Sequence, residues 1–445
     1  MSVVSTAKTP HPWWVAFVCG MATFVDAAAT TGIGIALVLF QSMEPGQPGL
    51  SANEVGFLTA ALALGVAVGS LLGGRLGDRF GRRTVFLVTM VLIVLGSIAP
   101  FLSLNFGIMF LGIAVIGLGV GADLPVALAS ISEAATDDNR GKLIVFSNIL
   151  GGFGIATSVV LSIVYGGLGA TGGHIIFGVF GCIGLVTLLL RLTIPESRVW
   201  LAARQERLSG MRTVRAEKAS LGDLVRQPYN RPFLVLIAYY ALASIAVSVA
   251  SSFGTFVAVN LAGVSVAQYS TASLVALPLA VIAQMGFMAV VDTKWRMPAY
   301  VVGSLLVVFS NLIPVLFGFT FATVLSSVLL ATVAGAFCFE TIMKVWTQES
   351  FPTLMRGTAQ GFIYGISRFA AAGLNAVTPM LLAFNAKGLY LGIAVLAAAG
   401  FAIGWVGFRK GAANQFDSEA TMEPLGASPA RLVTGTQGAM EEGQR

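Results

Sequence analysis

Charged side chains are scarce in this sequence. Asp, Glu, Lys and Arg make up 10% of its 445 residues, whereas a soluble globular protein carries about 25%. Apolar residues make up 56%, and the mean hydropathy is +0.86. So few charges cannot cover a surface that faces water, and so apolar a chain does not stay disordered. The composition therefore excludes a soluble domain and indicates a protein whose partner is a lipid bilayer.

Histidine and cysteine are also too few for most catalytic or metal-binding sites. The chain has two histidines and three cysteines, and all three cysteines fall inside apolar stretches. Such cysteines are typical of small core residues. We therefore expect no enzyme activity, no metal ion and no cofactor. The net charge of +6 does not indicate a nucleic-acid partner, because the basic residues lie in short segments between apolar runs.

Twelve apolar runs are long enough to cross a bilayer, which takes about 20 residues. They are 13–40, 53–74, 84–102, 106–131, 143–167, 173–194, 232–258, 268–291, 298–316, 321–347, 358–383 and 387–408. We predict an all-α membrane protein with four regions. These are an N-terminal six-helix bundle (1–194), a cytoplasmic linker (195–231), a C-terminal six-helix bundle (232–408) and a disordered cytoplasmic tail (409–445).

The basic residues predict how the chain is oriented. If the N-terminus is cytoplasmic, nearly all Lys and Arg in the connections lie on the cytoplasmic side, and the other side has only Lys387. This asymmetry follows the positive-inside rule. The first run is too long for a signal peptide and contains Asp26. We expect a protein of the bacterial inner membrane with both termini in the cytoplasm.

Two charged patterns recur once in each half of the chain. One pairs an Asp with an Arg four residues later, and the other pairs a Glu with an Arg-Gly dipeptide seven residues later. The pairs are Asp78 with Arg82, Asp292 with Arg296, Glu133 with Arg140, and Glu349 with Arg356. The patterns recur 214 and 216 residues further along the chain. Nearly equal offsets indicate two similar halves, an architecture found in transporters.

Several of these segments resemble a known family. The stretch 74–83, GRLGDRFGRR, closely resembles the loop signature of the major facilitator superfamily. The glycines of 117–121, the PESRVWL stretch 195–201 and the ESFP stretch 349–352 are similar to motifs of its sugar-porter branch. The chain departs from that branch at Ile113, where an Arg is usual, and in helix 10, which reads FCFET over 337–341. The resemblance implies twelve transmembrane helices in two pseudo-symmetric bundles.

The resemblance also implies a cytoplasmic gate. Its charged residues would pair when the inner side of a transporter closes and separate when that side opens. We predict that this gate contains Asp78, Arg82, Glu133, Arg140, Glu196, Arg198, Asp292, Arg296, Glu349 and Arg356.

Charged residues inside the apolar runs are costly and therefore candidates for function. Asp26, Asp123 and Glu340 are candidate proton-coupling residues, and Asp26 is preferred because sugar porters often have an Asp at the corresponding place. Arg368 could pair with Asp26 or Asp123, or bind a substrate carboxylate. Glu340 and Lys344 could instead neutralise each other, since they lie four residues apart. The predicted substrate-binding set is Asp26, Asp123, Tyr239, Tyr240, Gln284, Glu340, Lys344 and Arg368.

These features predict a proton-coupled, monomeric secondary transporter that takes up a small polar metabolite, namely a sugar, a polyol or a sugar acid. Three alternatives remain open: symport of an aromatic or other organic acid, drug efflux, and a nutrient sensor that does not transport.

Overall fold

The computed structural model describes residues 10–40, 49–102, 105–136, 138–209, 221–264 and 266–409. Helices dominate this part of the chain, and it contains no strand. A 3-10 turn, Gly166–Leu168, joins α5 to α6. The α-helices are α1 (Pro12–Leu39), α2 (Ala52–Phe80), α3 (Arg82–Leu102), α4 (Phe106–Ala134), α5 (Arg140–Tyr165), α6 (Ala170–Leu192), α7 (Arg198–Leu208), α8 (Leu221–Leu224), α9 (Asn230–Asn260), α10 (Val266–Val290), α11 (Arg296–Phe317), α12 (Phe321–Cys338), α13 (Glu340–Ser350) and α14 (Arg356–Phe408).

The helices form two bundles. In the first half, α1 to α6, helix α2 packs against α4, α1 against α5, and α3 against α4 and α6. In the second half, α9 to α14, helix α14 packs against α9, and α11 packs against α12 and α14. The halves meet where α2 contacts α14 and where α5 contacts α10. Ten helical stretches of the described chain are long and apolar enough to cross a membrane, and Leu274–Val290 is a shorter apolar helix. The predicted fold class is confirmed.

The tenth predicted run, 321–347, is not one continuous helix. It divides into α12 and α13 at Phe339, whose backbone is not helical (φ −105°, ψ −115°). A helix that ends inside a bundle leaves carbonyl groups without intrahelical partners. The hydroxyl of Tyr239 donates to two of these carbonyls, those of Cys338 and Phe339, the latter at 2.8 Å. The break places Glu340 at the start of α13.

Helix α14 covers the eleventh and twelfth predicted runs. Asn385 interrupts it with a non-helical backbone (φ −158°, ψ 89°). Its side chain accepts a hydrogen bond from the backbone N–H of Gly388 at 2.9 Å, as an N-cap residue does. The two predicted spans are therefore two helical segments joined at Asn385.

Glycines let α2 and α4 approach closely within the first half. A Cβ atom at Gly65 would lie 2.7 Å from the carbonyl oxygen of Ala114, and Cβ atoms at Gly69 and Gly73 would collide with carbonyl oxygens of Leu118 and Ala122. Small residues allow this kind of backbone contact between membrane helices. This glycine row serves packing inside one bundle, whereas the approach of the two halves involves Gly74, where a Cβ atom would collide with the carbonyl of Gly357.

The described part of the linker is more closely packed than a solvated connector. Trp200 of α7 is buried, and its indole N–H donates to the carbonyl of Asp78 at 3.0 Å. Trp200 and Ala203 cluster with Leu354 of the second half, so α7 contacts both halves. The linker residues 210–220 and the predicted tail beyond Arg409 lie outside the described residues.

Candidate functional site

At one end of the molecule, two aspartates join the two halves. We call this the charged end; it carries the α2–α3, α4–α5 and α10–α11 connections. Asp78 accepts hydrogen bonds from the backbone N–H groups of Gly357, at 3.3 Å, and Thr358, at 2.6 Å, at the start of α14. The hydroxyl of Thr358 also donates to Asp78, at 2.6 Å. A carboxylate at a helix N-terminus satisfies free N–H groups and meets the positive end of the helix dipole.

Asp292 makes the corresponding contact in the other direction. It accepts from the backbone N–H groups of Gly141, at 2.9 Å, and Lys142, at 3.0 Å, at the start of α5. Burial raises the pKa of the Asp292 carboxyl, and these two backbone N–H groups lower it in part. The two repeated patterns of the sequence therefore meet crosswise, because the Asp of each half binds the Arg-Gly segment of the other.

Arg82 is the centre of the network in the first half. Its guanidinium donates to Asp78 at 2.5 Å, to Glu133 at 2.7 Å and, across the halves, to the carbonyl of Thr353 at 2.8 Å. Glu196 binds the start of α3 by accepting from the backbone N–H of Arg82 at 2.9 Å. These contacts close the charged end of the molecule.

The second half has a related but smaller network. Arg296 donates to both oxygens of Glu349, at 3.0 and 2.9 Å, and lies 3.8 Å from Asp292. The Arg356 guanidinium donates to the carbonyls of Gln348, at 3.1 Å, and Phe351, at 2.8 Å. The other two predicted gate residues differ in burial: Arg140 is buried at the start of α5, and Arg198 is exposed at the start of α7.

A cavity of about 420 Å³ lies between the halves. This volume falls in the range of small-molecule sites, roughly 300–1,000 Å³. Residues of α1, α5, α9, α10, α11, α12 and α13 line it. Its polar lining residues are Thr23, Asp26, Asn148, Gln284, Asn311, Thr332, Glu340 and Thr341.

Asp26 lines this cavity and forms an ion pair with a residue of the second half. The guanidinium of Arg368, on α14, donates to Oδ2 of Asp26 at 3.3 Å. The Oδ1 atom of Asp26 is buried and has no hydrogen-bond partner among the described residues. The Arg368 side chain is 37% exposed and lies over the ring of Tyr364 at 5.6 Å. This pair is therefore a bond between the halves that is only partly satisfied.

Glu340 and Lys344 form a second ion pair. The Lys344 ammonium lies 2.8 Å from Glu340 and donates to Oδ1 of Asn148 at 2.5 Å. The hydroxyl of Tyr364 also donates to Glu340. Glu340 lines the cavity, whereas Lys344 is completely buried behind it. This contact is the pairing that the spacing of four residues allows, one of the two roles considered for Glu340.

The structure places Asp123 away from the cavity. Both of its carboxylate oxygens accept from the guanidinium of Arg191, and the hydroxyl of Thr89 donates to Oδ1 at 2.9 Å. The Arg191 side chain has 0% exposure and lies over the Phe86 ring at 4.3 Å. Asp123 is thus held inside the first bundle, although its depth in the sequence suggested a transport role.

The two predicted tyrosines also lie outside the cavity lining. Tyr239 is fully buried and binds the carbonyls at the helix break. Tyr240 is buried and stacks on Phe339, with ring centroids 5.3 Å apart. Their contacts support packing of the second half. Of the three uncharged residues in the predicted substrate-binding set, Gln284 lines the cavity.

Sequence reasoning missed Arg191, Asn148 and Thr341. Leucines flank Arg191 on both sides (188–190 and 192), and this signal of a buried cation was available. Asn148 and Thr341 carried no comparable signal, because single neutral polar residues are common in membrane helices.

Similar proteins are transporters. The chain is 26% identical over 369 residues to the "Minor myo-inositol transporter IolF" of Bacillus subtilis, a match that covers 81% of this chain and 82% of that protein. It is 26% identical over 213 residues to the "Putative niacin/nicotinamide transporter NiaP" of the same organism, with 43% and 48% covered.

Solved structures share the fold. The "proton:xylose symporter XylE bound to 6-bromo-6-deoxy-D-glucose" matches with a TM-score of 0.77 at 18% identity, over 89% of this chain and 95% of that one. FucP "in the outward conformation" matches with a TM-score of 0.70 at 14% identity, over 88% and 98%. The family model of the Major Facilitator Superfamily matches residues 19–376, which is most of the chain. The protein therefore belongs to the major facilitator superfamily of membrane transporters.

Proposed function

We propose that this transporter takes up a neutral sugar or polyol together with a proton. The observation that carries the proposal is the Asp26–Arg368 pair, a partly satisfied ionic bond that joins the two halves beside the central cavity. The relative with the longest match described above is named as a myo-inositol transporter, and a structural neighbour as a proton:xylose symporter. We therefore take myo-inositol as the first probe.

The proposed mechanism starts with the bond between Asp26 and Arg368. A proton on Asp26 removes the charge that attracts the guanidinium, so the bond weakens and the halves lose a link at mid-depth. Substrate bound to the polar groups of the cavity and the proton on Asp26 together let the halves rock until the other side opens. Differential stability of two such states is the basis of alternating access.

The charges around the cavity favour a neutral substrate. Asp26 is paired with Arg368, and Glu340 with Lys344, so the four charges cancel. Neutral donors and acceptors for hydroxyl groups are supplied by Asn148, Gln284, Asn311, Thr332 and Thr341. A solute with many hydroxyl groups and no charge matches this lining.

The closed charged end supports an assignment of the conformational state. With both termini in the cytoplasm, as the Lys and Arg distribution predicts, the charged end is the cytoplasmic gate in its closed form. The structure then corresponds to an outward-facing transporter. We further propose that the protein acts as a monomer in the bacterial inner membrane.

An organic acid is the second candidate substrate. The 37% exposure of the Arg368 side chain favours it, because a guanidinium can bind a carboxylate through two hydrogen bonds. In that case, the substrate carboxylate would replace Asp26 as the partner of Arg368.

Uptake by purified protein in lipid vesicles tests the proposal. We expect an inward-directed proton gradient to accumulate labelled myo-inositol or a related neutral polyol, and a proton ionophore to abolish the accumulation. A parallel panel contains xylose, a sugar acid and nicotinate. Accumulation of only the acidic solutes would support the second candidate, whereas binding without flux of any solute would contradict transport.

A further inference from the structure

Lys344 controls the orientation of one cavity-lining amide. An ammonium group can donate hydrogen bonds but cannot accept them. Lys344 is completely buried and ion-paired with Glu340, and it donates to Oδ1 of Asn148 at 2.5 Å. The carbonyl of Asn148 must therefore face Lys344, and its NH2 group must point the other way.

The orientation of the Asn148 amide determines which hydrogen bond Thr341 receives. The Asn148 NH2 group donates to Oγ1 of Thr341 at 2.6 Å. Because Oγ1 of Thr341 already accepts from Asn148, the single proton of its hydroxyl is left to pair with an acceptor. Gln284 lies 3.2 Å away through either amide atom. Because the Thr341 hydroxyl donates its proton, the Gln284 amide is oriented with its Oε1 facing Thr341.

We propose that this relay, from Lys344 through Asn148 and Thr341 to Gln284, makes the Gln284 NH2 group a fixed hydrogen-bond donor at the cavity. Gln284 lines the cavity and Lys344 does not, so Lys344 is a positioning residue that acts through the other three. The site then requires an acceptor oxygen on the substrate at the point that meets Gln284. The inference rests on the proposed uptake of a neutral polyol and specifies how that polyol is recognised.

The relay spans both halves of the transporter. Asn148 belongs to α5 of the first half, whereas Gln284, Thr341 and Lys344 belong to the second. When the halves move apart at this depth, Asn148 leaves Lys344 and Thr341, and Gln284 is free to turn. The fixed donor therefore exists only in the state in which the charged end is closed.

Analogues of myo-inositol test the direction of the donor. In one set, each hydroxyl in turn is replaced by hydrogen; in the other, by fluorine, which can accept a hydrogen bond but cannot donate one. Each analogue competes with labelled myo-inositol for uptake into vesicles. At the position that meets Gln284, we expect the deoxy analogue to compete roughly tenfold more weakly than the fluoro analogue, because a buried donor is left without a partner.

Asn148→Asp should reverse the relay. A carboxylate accepts from both Lys344 and Thr341, so the Thr341 hydroxyl turns away from Gln284. Gln284 then donates to Thr341 and presents its carbonyl to the cavity. The fluoro analogue should fall to the level of the deoxy analogue, since neither can donate. Asn311→Asp is the matched control, because it adds the same charge to the cavity lining outside the relay and should keep the order of the analogues.

Lys344→Met is the second variant and should reduce the difference between the two analogues, because Asn148 is then free to turn. If wild-type protein takes up myo-inositol but fluoro and deoxy analogues compete equally at every position, the relay is wrong and the proposed function stands. An unchanged analogue order in Asn148→Asp would also overturn the relay. If the wild type neither binds nor takes up any polyol, the proposed function fails, and the relay fails with it.

Discussion

Asp26 and Asp123 are two mid-depth carboxylates with the same type of partner and different surroundings. Asp123 is bound through both oxygens by an Arg191 side chain with no exposure, and Thr89 adds a third hydrogen bond. Asp26 is bound through one oxygen by a partly exposed Arg368, and its other oxygen has no hydrogen-bond partner in the described part of the chain. The first pair lies within one bundle, and the second joins the two halves.

In our proposal, this difference separates an ion pair that only stabilises the fold from one that takes part in transport. An ion pair inside one bundle, with all its hydrogen bonds made, keeps the same surroundings when the halves move, so its protonation is not expected to change. A partly satisfied pair between the halves changes its surroundings in every transport cycle. The same residue type at the same depth can therefore stabilise the fold in one place and, in our proposal, couple transport to protons in another.

The largest expected effect is on stability and comes from Arg191. Arg191→Met leaves Asp123 as a buried charge without its partner, and breaking such a pair costs about 3–5 kcal/mol. The Arg368 side chain is 37% exposed, so Arg368→Met should cost less stability than Arg191→Met. Thermal unfolding of Arg191→Met and Arg368→Met in detergent makes the comparison. Equal losses in the two variants would remove the distinction between the pairs.

The second prediction concerns proton coupling. For symport of one proton, a gradient of one pH unit can support about tenfold accumulation. Asp26→Asn cannot change its charge, so accumulation should disappear while exchange of labelled for unlabelled myo-inositol continues. Asp123→Asn is the control and should keep accumulation in the protein that still folds. Loss of coupling in the control and not in Asp26→Asn would reverse our assignment.

The smallest effect on stability is expected at the charged end. Asp78 there shares features with both Asp123 and Asp26. Its hydrogen bonds are numerous, as for Asp123, but several of them cross between the halves, as for Asp26. Asp78→Asn should therefore open this end more often and change overall stability little. Loss of a helix cap costs about 1 kcal/mol, which corresponds to roughly a fivefold change in population.

Spin-label distances across the charged end measure this population, and Asp292→Asn should shift them in the same direction. A decrease in the open population, or unfolding without any change in the distances, would show that these aspartates do not close the gate.

The sequence predicted the spans and the repeat because both depend on local composition and spacing. A run of about 20 apolar residues can cross a bilayer whatever its neighbours are. The Asp78 and Asp292 patterns can likewise be recognised without a structure. The break at Phe339 was not predicted, because neither proline nor glycine marks it in the stretch FCFE. The group that binds the carbonyls at this break, the hydroxyl of Tyr239, lies on another helix.

The site was predicted only in part. A sequence shows where a charged residue lies along a predicted span, but it does not show which way the side chain faces. Counting residues placed Asp26 and Asp123 at similar depths, but only packing decides which faces the cavity. The pairing of Arg368 with Asp26 was one of three alternatives, and Arg191, the partner of Asp123, was not identified. The relay residue Asn148 became visible only when the structure brought α5 next to α13.

The most direct test of the account is proton movement driven by substrate. Vesicles with no initial pH gradient and an internal pH indicator receive external myo-inositol. We predict that wild-type protein acidifies the interior and that Asp26→Asn takes up myo-inositol without acidification until concentrations are equal on both sides. Equal acidification by Asp26→Asn and wild type would contradict the central claim that Asp26 carries the proton.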